Sequence, residues 1–542
     1  MRPTPATASE RTRRGTDTLA LIAFCGFLFF LGIQLVGLVG ADEPRYAQVA
    51  REMLARNDWV TPVLYGKPWL EKPPLYYWCT MLSYKGLGVG DTAARLPSAY
   101  LSCLLIIFIY VWSRRFRFGM QLDAALITAS AAMVIGFGRS ASTDMPLTVM
   151  FTVAMLSWYG WYAEGKRRWL LAFYLFLALG TLAKGPVALG LAALIIIAFA
   201  ALRRDAKLLV RTLQPIGVAL YLAVAAPWYI AVERANPEFF RAFFLQQNLE
   251  RFTSNLYHHP QPFWFYWTII LIALVPWTVF AIEAIVDALR NWRYSTNEPA
   301  GKEDLRTYLV LWLLLPMIFF SFSHSKLPGY ILPAIPAGTI LLADFILRRE
   351  QSDTKPAMWM VALHALVCAA MLSAAFIVPF KLLRLPLPVK VLAVAGSLAI
   401  ATILMLVLTL QNQGYRVLRF ATLVPVVIAV ALTLRGTAPM INLLASERPV
   451  AQNLAETEIG RIPDIAVYDV SPSVEYGLGF YRDHFVASYE RNEIPAGDHI
   501  VVAAAGTQKE LQYRLPNRRV VKFGGFPLQH LDFYFVSKPG GD

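Results

Sequence analysis

Long apolar segments, separated by short polar ones, follow one another from the N-terminus to about residue 435. Most of them are about 17 to 23 residues long, the helical length that crosses the hydrocarbon core of a bilayer. The pattern predicts thirteen spans, near 18–39, 93–113, 121–137, 146–163, 169–183, 186–202, 209–231, 263–285, 307–321, 330–347, 357–379, 388–410 and 417–435. Two of them, near 169–183 and 307–321, are short, so the count depends on them.

The basic residues are divided unequally between the two sets of loops. One set carries clusters such as Arg114, Arg115 and Arg117, whereas the loops between them hold single residues such as Lys184 and Lys326. Cytoplasmic loops are enriched in lysine and arginine, so the N-terminus is expected in the cytoplasm. An odd number of spans then leaves the C-terminal segment outside. Much of the net charge of +14 is explained by this topology, and no nucleic acid is expected as a partner.

After about residue 436 the apolar runs give way to shorter elements. Four segments have the pattern of strands: "IPDIAVYDV", "GDHIVVAAAG", "RRVVKFGG" and "DFYFVSK". Two segments between them, "SPSVEYGLGFYRD" and "TQKELQYRL", have the pattern of helices. The alternation predicts a small α/β domain. The predicted organisation is a transmembrane domain over 1–439, with outer juxtamembrane helices at 40–92, and an outer α/β domain over 440–542.

The composition agrees with a membrane-embedded chain. Of the 542 residues, 57% are hydrophobic and 16% charged, a content at which a soluble domain would aggregate. The cysteines show neither metal spacing nor an evident pairing, and they are interpreted as small core residues. The expected fold class is therefore a polytopic α-helical membrane protein of about 13 transmembrane helices, with interfacial helices and a small C-terminal α/β domain.

The first outer stretch opens with an amphipathic segment, "GADEPRYAQVAREML" (40–54). The positions of its apolar face are Tyr46, Val49, Ala50, Met53 and Leu54. A helix of about fifteen residues is too short to span the bilayer and is predicted to lie in the interface plane. Asp42 is expected to be its N-cap, with Pro44 in the first turn. A capping role explains Asp42, taken alone, as well as a functional role does.

Charged residues stand among aromatic ones in the next outer segment, "YGKPWLEKPPLYYW" (65–78). Aromatic residues are expected in any membrane interface. Burying Glu71 and Lys72 among them is costly without partners, which favours a functional role for these two.

A second acidic residue lies on the same outer side. Asp144, in "GRSASTDMPLTVM", begins the fourth span, and it too has the alternative interpretation of a helix cap. Several basic residues share this level: Arg45, Lys72, Arg139, Lys184 and Lys326. Lysine and arginine near helix ends often snorkel to the interface. The combined set nevertheless suits a substrate that carries phosphates and a polar or cationic group.

The motifs "GADEPRYAQVAREM", "PWLEKPPLYYW", "STDMP", "LAKGP" and "SHSKLPGYILP" together resemble the type C glycosyltransferases that use polyprenyl-phosphate sugars. The resemblance is nearest to the bacterial 4-amino-4-deoxy-L-arabinose lipid A transferases. It implies undecaprenyl phosphate carrying aminoarabinose as the donor and a lipid A phosphate at the periplasmic face of the inner membrane as the acceptor. It also implies membrane lipids as surroundings, a monomeric protein, and a link to polymyxin resistance.

The resemblance assigns roles to particular residues. Asp42 is the main catalytic candidate, and Asp144 is the second. The residues that correspond to donor-phosphate and cavity positions are Arg45, Tyr46, Trp69, Glu71, Lys72, Lys326 and Tyr330. Three residues at the same level, Glu43, Arg139 and Lys184, complete the predicted substrate-binding set.

The chemistry leaves the role of Asp42 open. Lysine and arginine can neutralise the leaving phosphate. An acceptor phosphate monoester with a second pKa of about 6 is already largely ionised and hardly needs a base. Asp42 then positions the acceptor, steadies the cationic sugar carbon or binds the sugar ammonium. No cofactor is expected to be essential; a divalent cation, Zn²⁺ or Mg²⁺, is an option, with Glu71, His258 and His259 as candidate ligands.

Two other classes of function compete with this interpretation. A related lipid-linked-sugar glycosyltransferase with a protein or another glycan as acceptor would need Asp42 as a true base. A flippase or transporter for a lipid-linked sugar would carry ionisable groups within its spans. In this chain the polar groups gather at one face instead.

Overall fold

The structure, a computed structural model, describes residues 8–250, 261–295, 302–383, 385–457 and 464–538. Helices make up nearly all of the first part of the chain. In chain order they are α1 (Ala8–Cys25), α2 (Asp42–Ala55), α3 (Leu75–Leu87), α4 (Asp91–Phe116), α5 (Gln121–Ser130), α6 (Ala132–Gly138), α7 (Asp144–Glu164), α8 (Arg167–Lys184), α9 (Val187–Leu202), α10 (Ala206–Thr212), α11 (Pro215–Ala235), α12 (Phe265–Ala273), α13 (Thr278–Ser295), α14 (Lys302–Ser321), α15 (Ile335–Gln351), α16 (Met358–Leu382), α17 (Val389–Gln413), α18 (Leu418–Leu432) and α19 (Ala438–Ala445).

Each predicted span overlaps one of these helices or a helix pair, but the first, predicted near 18–39, is helical only as far as Phe30. The described residues contain six helices that are long and apolar enough to cross a membrane, or eight if two bent pairs each count as one span. The multi-pass helical fold is therefore confirmed, while the count of thirteen stays a prediction. The segment predicted as one span near 263–285 is two helices, α12 and α13, which meet at 117°.

The central helix of the bundle is α7. Every residue from Met145 to Trp161 is buried, as expected for a helix that is apolar on all sides. It packs against α4, α8 and α9, and also against a 3₁₀ turn at Pro328–Ala334 that precedes α15. The first residue of α7, Asp144, is thereby held in a fixed position at one end of the bundle, which we call the site end.

The opposite end of the bundle is held by buried ion pairs. Asp344 on α15 pairs with Arg117 and with Arg348, the latter at 3.0 Å. Asp304 on α14 pairs with Arg203 at 2.7 Å. These basic residues belong to the arginine- and lysine-rich loops, so part of the positive charge is neutralised within the protein. A buried charge is tolerated only when it is paired in this way.

At the site end, α2 and α3 lie outside the bundle with a short hairpin, β1 (Val63–Leu64) and β2 (Lys67–Pro68), between them. The helix predicted over 40–54 is confirmed, but Asp42 is its first residue and not its cap. Ala41 occupies the cap position, and no side chain of the described residues caps this end. Asp42 still faces the positive end of the helix dipole, where a carboxylate is favourable.

The C-terminal part contains one five-stranded mixed sheet. Its elements are α20 (Arg448–Thr457), β3 (Asp464–Tyr468), α21 (Pro472–Arg482), β4 (Val486–Ser488), β5 (His499–Ala504), α22 (Gln508–Arg514), β6 (Arg519–Phe526) and β7 (Leu531–Ser537). The strand order is β4-β3-β5-β7-β6, with β3 parallel to β4 and β5, and β7 antiparallel to β5 and β6. The α/β character expected from the sequence is confirmed, and the predicted boundary at 440 falls within α19.

The helix α2 is not an isolated amphipathic helix on a lipid surface, as the sequence predicted. It is packed between α3 on one side and α21 of the C-terminal domain on the other. Gln48, a polar residue outside the apolar face of α2, is for this reason buried. The additional protein layer encloses the residues that begin α2.

Candidate functional site

The first cluster of the site is formed where α2 begins. Arg45 lies one helical turn after Asp42, and its guanidinium pairs with the Asp42 carboxylate. The Asp42 side chain is 54% exposed, whereas that of Arg45 is 17% exposed. The arginine is thus largely enclosed by protein, and the aspartate is open to a ligand.

Aromatic rings hold the Arg45 guanidinium in place. Its central carbon lies 5.0 Å from the centre of the Trp69 ring, 5.5 Å from that of Tyr46 and 5.3 Å from that of Tyr476. Cations bind favourably over aromatic faces at such distances. Burial alone would lower the pKa of Arg45, but Tyr46, Asp42 and Glu71 outweigh it, so the pKa is raised and the positive charge is secured.

Three polar atoms of this cluster are buried and have no hydrogen-bond partner among the described residues. They are the Nε of Arg45, the Nε1 of Trp69 and the hydroxyl of Tyr77. A buried donor without a partner costs about 1 to 3 kcal/mol, so a cluster of three calls for an explanation. A ligand with several acceptor oxygens, such as a phosphate or a sugar, would satisfy them.

Glu43, the residue after Asp42, points in a different direction and is buried. Its carboxylate forms an ion pair with Arg95 on α4 and accepts hydrogen bonds from the backbone N–H of Val39 at 2.9 Å and of Ala141 at 2.8 Å. With these protein partners, its role in this structure is to connect α2 to α4 and to the turn that leads to Asp144. The site role predicted for Glu43 is therefore one of positioning at most, and it stays a prediction.

The second cluster surrounds Asp144. Its carboxylate pairs with Lys184 at the end of α8, and the ammonium of Lys184 lies 5.0 Å from the centre of the Tyr330 ring. The 3₁₀ turn passes so close that a Cβ on Gly329 would lie 2.8 Å from an Asp144 carboxylate oxygen. Asp144 is also not a helix cap, since Thr143 holds that position. The structure thus brings Asp144, Lys184 and Tyr330 together, as one part of the predicted site.

The two clusters are connected through a short path. The hydrogen bond from Ala141 to Glu43 joins the turn before Asp144 to the residue after Asp42. Both aspartates therefore lie at the site end, as the sequence predicted from topology.

The remaining predicted basic residues have mainly protein partners. Lys72 is buried and its ammonium donates to the backbone carbonyl of Glu71 at 3.2 Å. The ammonium of Lys326 donates to the carbonyls of Gln261 and Ser323, and burial lowers its pKa.

Arg139 donates to two carbonyls at the end of the first apolar segment, those of Leu28 and Leu31, both at 2.9 Å. It anchors that segment to the turn between α6 and α7. A contact of Arg139 with substrate stays a prediction.

A metal site is not formed by the residues that the structure describes, which contain no group of three histidine, cysteine, aspartate or glutamate side chains able to hold an ion. Of the three candidate ligands, Glu71 lies near Arg45. His258 and His259 lie outside the described residues.

Sequence reasoning did not identify Tyr476 or Tyr77. Tyr476 is about 430 positions away from Arg45 along the chain, in a domain without a recognisable motif. Tyr77 is within the aromatic segment 65–78, where any tyrosine is expected at a membrane interface. Its unpaired hydroxyl is visible only in the structure.

Comparison with known proteins gives a consistent result. The model of the dolichyl-phosphate-mannose-protein mannosyltransferase family matches residues 71–230. An undecaprenyl phosphate-alpha-4-amino-4-deoxy-L-arabinose arabinosyl transferase of Aeromonas salmonicida is 30% identical, over 88% of this chain and 90% of that protein. A protein of the same name from Edwardsiella ictaluri is 31% identical, over 63% of this chain and 61% of that protein.

A solved structure shares the fold. It is that of ArnT from Cupriavidus metallidurans bound to undecaprenyl phosphate, with a TM-score of 0.76 and 22% sequence identity, over 96% of this chain and 98% of that one. The apo structure of the same protein gives the same TM-score at 20% identity. At these identities the likeness is one of fold, and it includes both the helical bundle and the C-terminal domain.

Proposed function

We propose, since this chain belongs to the family of undecaprenyl phosphate-alpha-4-amino-4-deoxy-L-arabinose arabinosyl transferases, that it transfers 4-amino-4-deoxy-L-arabinose from undecaprenyl phosphate to a phosphate of lipid A. The bond between the sugar C1 and an oxygen of undecaprenyl phosphate breaks. A bond between C1 and a lipid A phosphate oxygen forms, and undecaprenyl phosphate leaves with the electron pair. The chain is thus a polyprenyl-phosphate-dependent glycosyltransferase embedded in a membrane by many helices.

The observation that carries the proposal is the arrangement around Arg45. An exposed carboxylate on Asp42 lies beside a guanidinium that aromatic rings hold in place. Buried donors on Arg45, Trp69 and Tyr77 in this cluster have no hydrogen-bond partner among the described residues. The donors and the positive charge suit the leaving phosphate, where negative charge develops as the bond breaks.

Asp42 then acts on the sugar and not on the acceptor. Since an acceptor phosphate is already ionised near neutral pH, removal of a proton from it is not required. The open carboxylate of Asp42 stabilises the positive charge that develops at C1, or binds the sugar ammonium. Asp144 and Lys184 form a second charged wall of the same site.

The donor and the acceptor of the proposed reaction also determine where the protein is expected in the cell. We propose that the site end faces the periplasm, with the N-terminus in the cytoplasm and the protein in the inner membrane as a monomer. The uneven distribution of basic residues supports this orientation. Reporter fusions after residue 457 are expected to give a periplasmic signal, and a cytoplasmic signal would contradict the orientation.

The test of the function is a transfer assay with purified protein in lipid nanodiscs. Labelled undecaprenyl-phosphate aminoarabinose is offered together with lipid A, with lipid A from which the phosphates have been removed, or with an unfolded protein acceptor. We expect label only on phosphorylated lipid A. Label on the protein acceptor would instead support a protein glycosyltransferase, the alternative that the match to the mannosyltransferase family over 71–230 favours.

A flippase is disfavoured by the position of the charged groups. The acidic residues of the bundle, such as Asp344 and Asp304, pair with arginines at the end opposite the site. His364, within α16, shares a hydrogen bond of 2.9 Å with the hydroxyl of Thr422, and its ring packs on that of Phe280. A path of ionisable groups through the spans, which a transporter would need, is not formed among the described residues.

A further inference from the structure

The C-terminal domain, to which the sequence assigns no chemistry, reaches the site at one residue. Tyr476 on α21 places the centre of its ring 5.3 Å from the guanidinium carbon of Arg45. The Trp69 ring lies 5.0 Å from the same carbon. One of the aromatic rings that hold Arg45 is therefore supplied by a different domain.

The position of Tyr476 is fixed by the docking of α21 on α2. Arg51, on α2, donates from one guanidinium nitrogen to the carbonyl of Phe480 at 2.9 Å and to the carboxylate of Asp483 at 2.7 Å. At Gly479 the helix approaches the Tyr65 hydroxyl so closely that any side chain would collide with it. These contacts lie within about two turns of Tyr476 on the same helix, so they set its position relative to Arg45.

The C-terminal domain is also tied to the bundle beside α2. Arg448, the first residue of α20, pairs with Asp91 at the start of α4 at 2.7 Å. The hydroxyl of Tyr481 donates to the Asp91 carboxylate at 2.7 Å and accepts from the backbone N–H of Leu38 at 2.6 Å. Because these polar contacts reach both the segment before α2 and the start of α4, the domain is held as a part of the site and not as an independent unit.

The aromatic rings leave only certain edges of the Arg45 guanidinium for other partners. One terminal nitrogen pairs with Asp42, and the Nε is buried without a partner among the described residues. A guanidinium presents its N–H groups in one plane, so rings that fix this plane also fix the direction of the N–H groups. Without Tyr476, Arg45 would keep only the rings of Trp69 and Tyr46 and would gain freedom to rotate.

We propose that Tyr476 is a positioning residue that orients Arg45 for the phosphate of the lipid donor, so that the active site is complete only when the C-terminal domain is docked. The proposal rests on the proposed function in that it names the donor phosphate as the ligand. Tyr476 does not contact the reacting atoms; it acts through Arg45.

The test compares Tyr476→Phe with Tyr476→Leu. Phenylalanine keeps the aromatic face, and leucine keeps an apolar but smaller side chain without one. We expect Tyr476→Leu to weaken the binding of undecaprenyl phosphate, measured with purified protein in nanodiscs, by about three- to tenfold. Tyr476→Phe should stay within about threefold of the parent protein. Tyr513→Leu, at a side chain on the same domain that is 90% exposed, is the control and should bind as the parent does.

A double-mutant cycle separates positioning from packing. If Tyr476 acts through Arg45, Tyr476→Leu has no further effect on lipid binding when Arg45 is already replaced, in Arg45→Gln. An equal loss in both backgrounds would show that Tyr476 only packs, and unchanged binding in Tyr476→Leu would also overturn the proposal. If the leucine variant does not insert, Tyr476→Met takes its place in the cycle.

The readout keeps this inference distinct from the proposed function. Lipid binding is measured without transfer. A parent protein that binds undecaprenyl phosphate but transfers no aminoarabinose would contradict the proposed function, while a positive cycle would still support the role of Tyr476. If the parent protein transfers aminoarabinose but Tyr476→Leu loses lipid binding equally in both backgrounds, the proposed function is supported and the role of Tyr476 is contradicted.

Discussion

The two acidic residues of the site, Asp42 and Asp144, each begin a helix, and each is paired with a basic residue that faces an aromatic ring. At the start of α2, Asp42 pairs with Arg45, and Arg45 lies against aromatic rings. At the start of α7, Asp144 pairs with Lys184. The ammonium of Lys184 also faces an aromatic ring, that of Tyr330. In each case a carboxylate at the positive end of a helix is matched with one basic residue.

The two starts differ in what surrounds them. The Asp144 side chain is 18% exposed, against 54% for Asp42. Asp144 begins a fully buried helix and is covered by the 3₁₀ turn at Gly329. Asp42 begins a helix outside the bundle, between α3 and the C-terminal domain. Asp42 is therefore open to a ligand, whereas the Asp144–Lys184 pair belongs to the wall of the site.

The largest effect is expected for Asp42→Asn. Asparagine keeps the shape of the side chain and removes its charge, so transfer should fall by at least about a hundredfold if the charge stabilises the reacting sugar. Thermal stability should fall less than in Asp144→Asn, because the Asp42 carboxylate is half exposed and aromatic rings still hold the Arg45 guanidinium. Transfer is measured with labelled donor and lipid A.

The control for Asp42→Asn is Asp469→Asn. Asp469 is an exposed residue of the C-terminal domain with a φ of 52°, and asparagine tolerates that conformation as well as aspartate does. This variant should keep full activity. Wild-type transfer in Asp42→Asn would reduce Asp42 to a residue of local helix stability and would remove the distinction between the two starts.

A smaller loss of transfer is expected for Asp144→Asn, together with a loss of stability. Without the carboxylate, the ammonium of Lys184 is left largely buried without its ion-pair partner, which costs free energy. We expect transfer to fall by about ten- to a hundredfold and the Tm to fall as well.

Asp123→Asn provides the matched control for Asp144→Asn. Asp123 is also in the first turn of a helix, α5, and is 12% exposed and paired with Arg419 at 2.7 Å, but it lies at the opposite end of the bundle. It should lose stability and keep transfer, apart from any loss of folded protein. Equal loss of transfer in both variants would mean that Asp144 acts only through stability.

The sequence predicted much of this arrangement because its periodic elements are local. The apolar repeat from Tyr46 to Met53 predicted α2, and the alternation of basic loops placed Asp42 and Asp144 at one end. The separation of roles between Asp42 and Glu43 was not predictable. Successive helix residues point about 100° apart, and only the position of Arg95 shows which of them is turned into the protein.

Contacts between segments that are distant along the chain could not be predicted from the sequence either. The apolar face of α2 indicated a partner, but a lipid surface satisfies such a face as well as a protein does. The glycines at 477 and 479 offer the one retrospective signal, since they let α21 approach Glu447 and Tyr65 closely. Nothing in their spacing identifies these residues as the surfaces that they contact.

A more modest effect is expected at Lys72, beside the α2 cluster. Its ammonium is a point charge that suits a single phosphate, so Lys72→Ala should weaken the binding of undecaprenyl phosphate by about tenfold. Lys72→Arg should recover part of the loss, since the charge is kept and the geometry is changed. Lys85→Ala, at an exposed lysine of α3, is the control for the loss of a positive charge from the same outer segment. Parent-like binding in Lys72→Ala would assign the phosphate to Arg45 and Lys184 alone.

The smallest effect is expected at Glu447. It depends on pH, and it is expected to reach Arg45 at the start of α2 but not Asp144 at the start of α7. Glu447 precedes α20, and its side chain is buried against Gly477 of α21, so burial raises its pKa from 4.5 to about 8. Between these values the folded protein keeps a proton that the unfolded chain has lost, so the folded state is favoured at low pH. The contribution of Glu447 to the free energy of unfolding therefore falls as the pH rises from about 4.5 to about 8, by up to about 1.4 kcal/mol per pH unit.

The variant Glu447→Gln should remove this pH dependence of stability and raise the Tm above pH 8, measured by thermal shift in detergent. The docking of α21 supports Arg45 but does not contact Asp144, so at pH 9 this variant should bind undecaprenyl phosphate slightly more tightly than the parent. In an Arg45→Gln background the gain in binding should disappear while the gain in Tm remains. An equal pH slope of the Tm in parent and Glu447→Gln would show that Glu447 does not control the docking of the C-terminal domain.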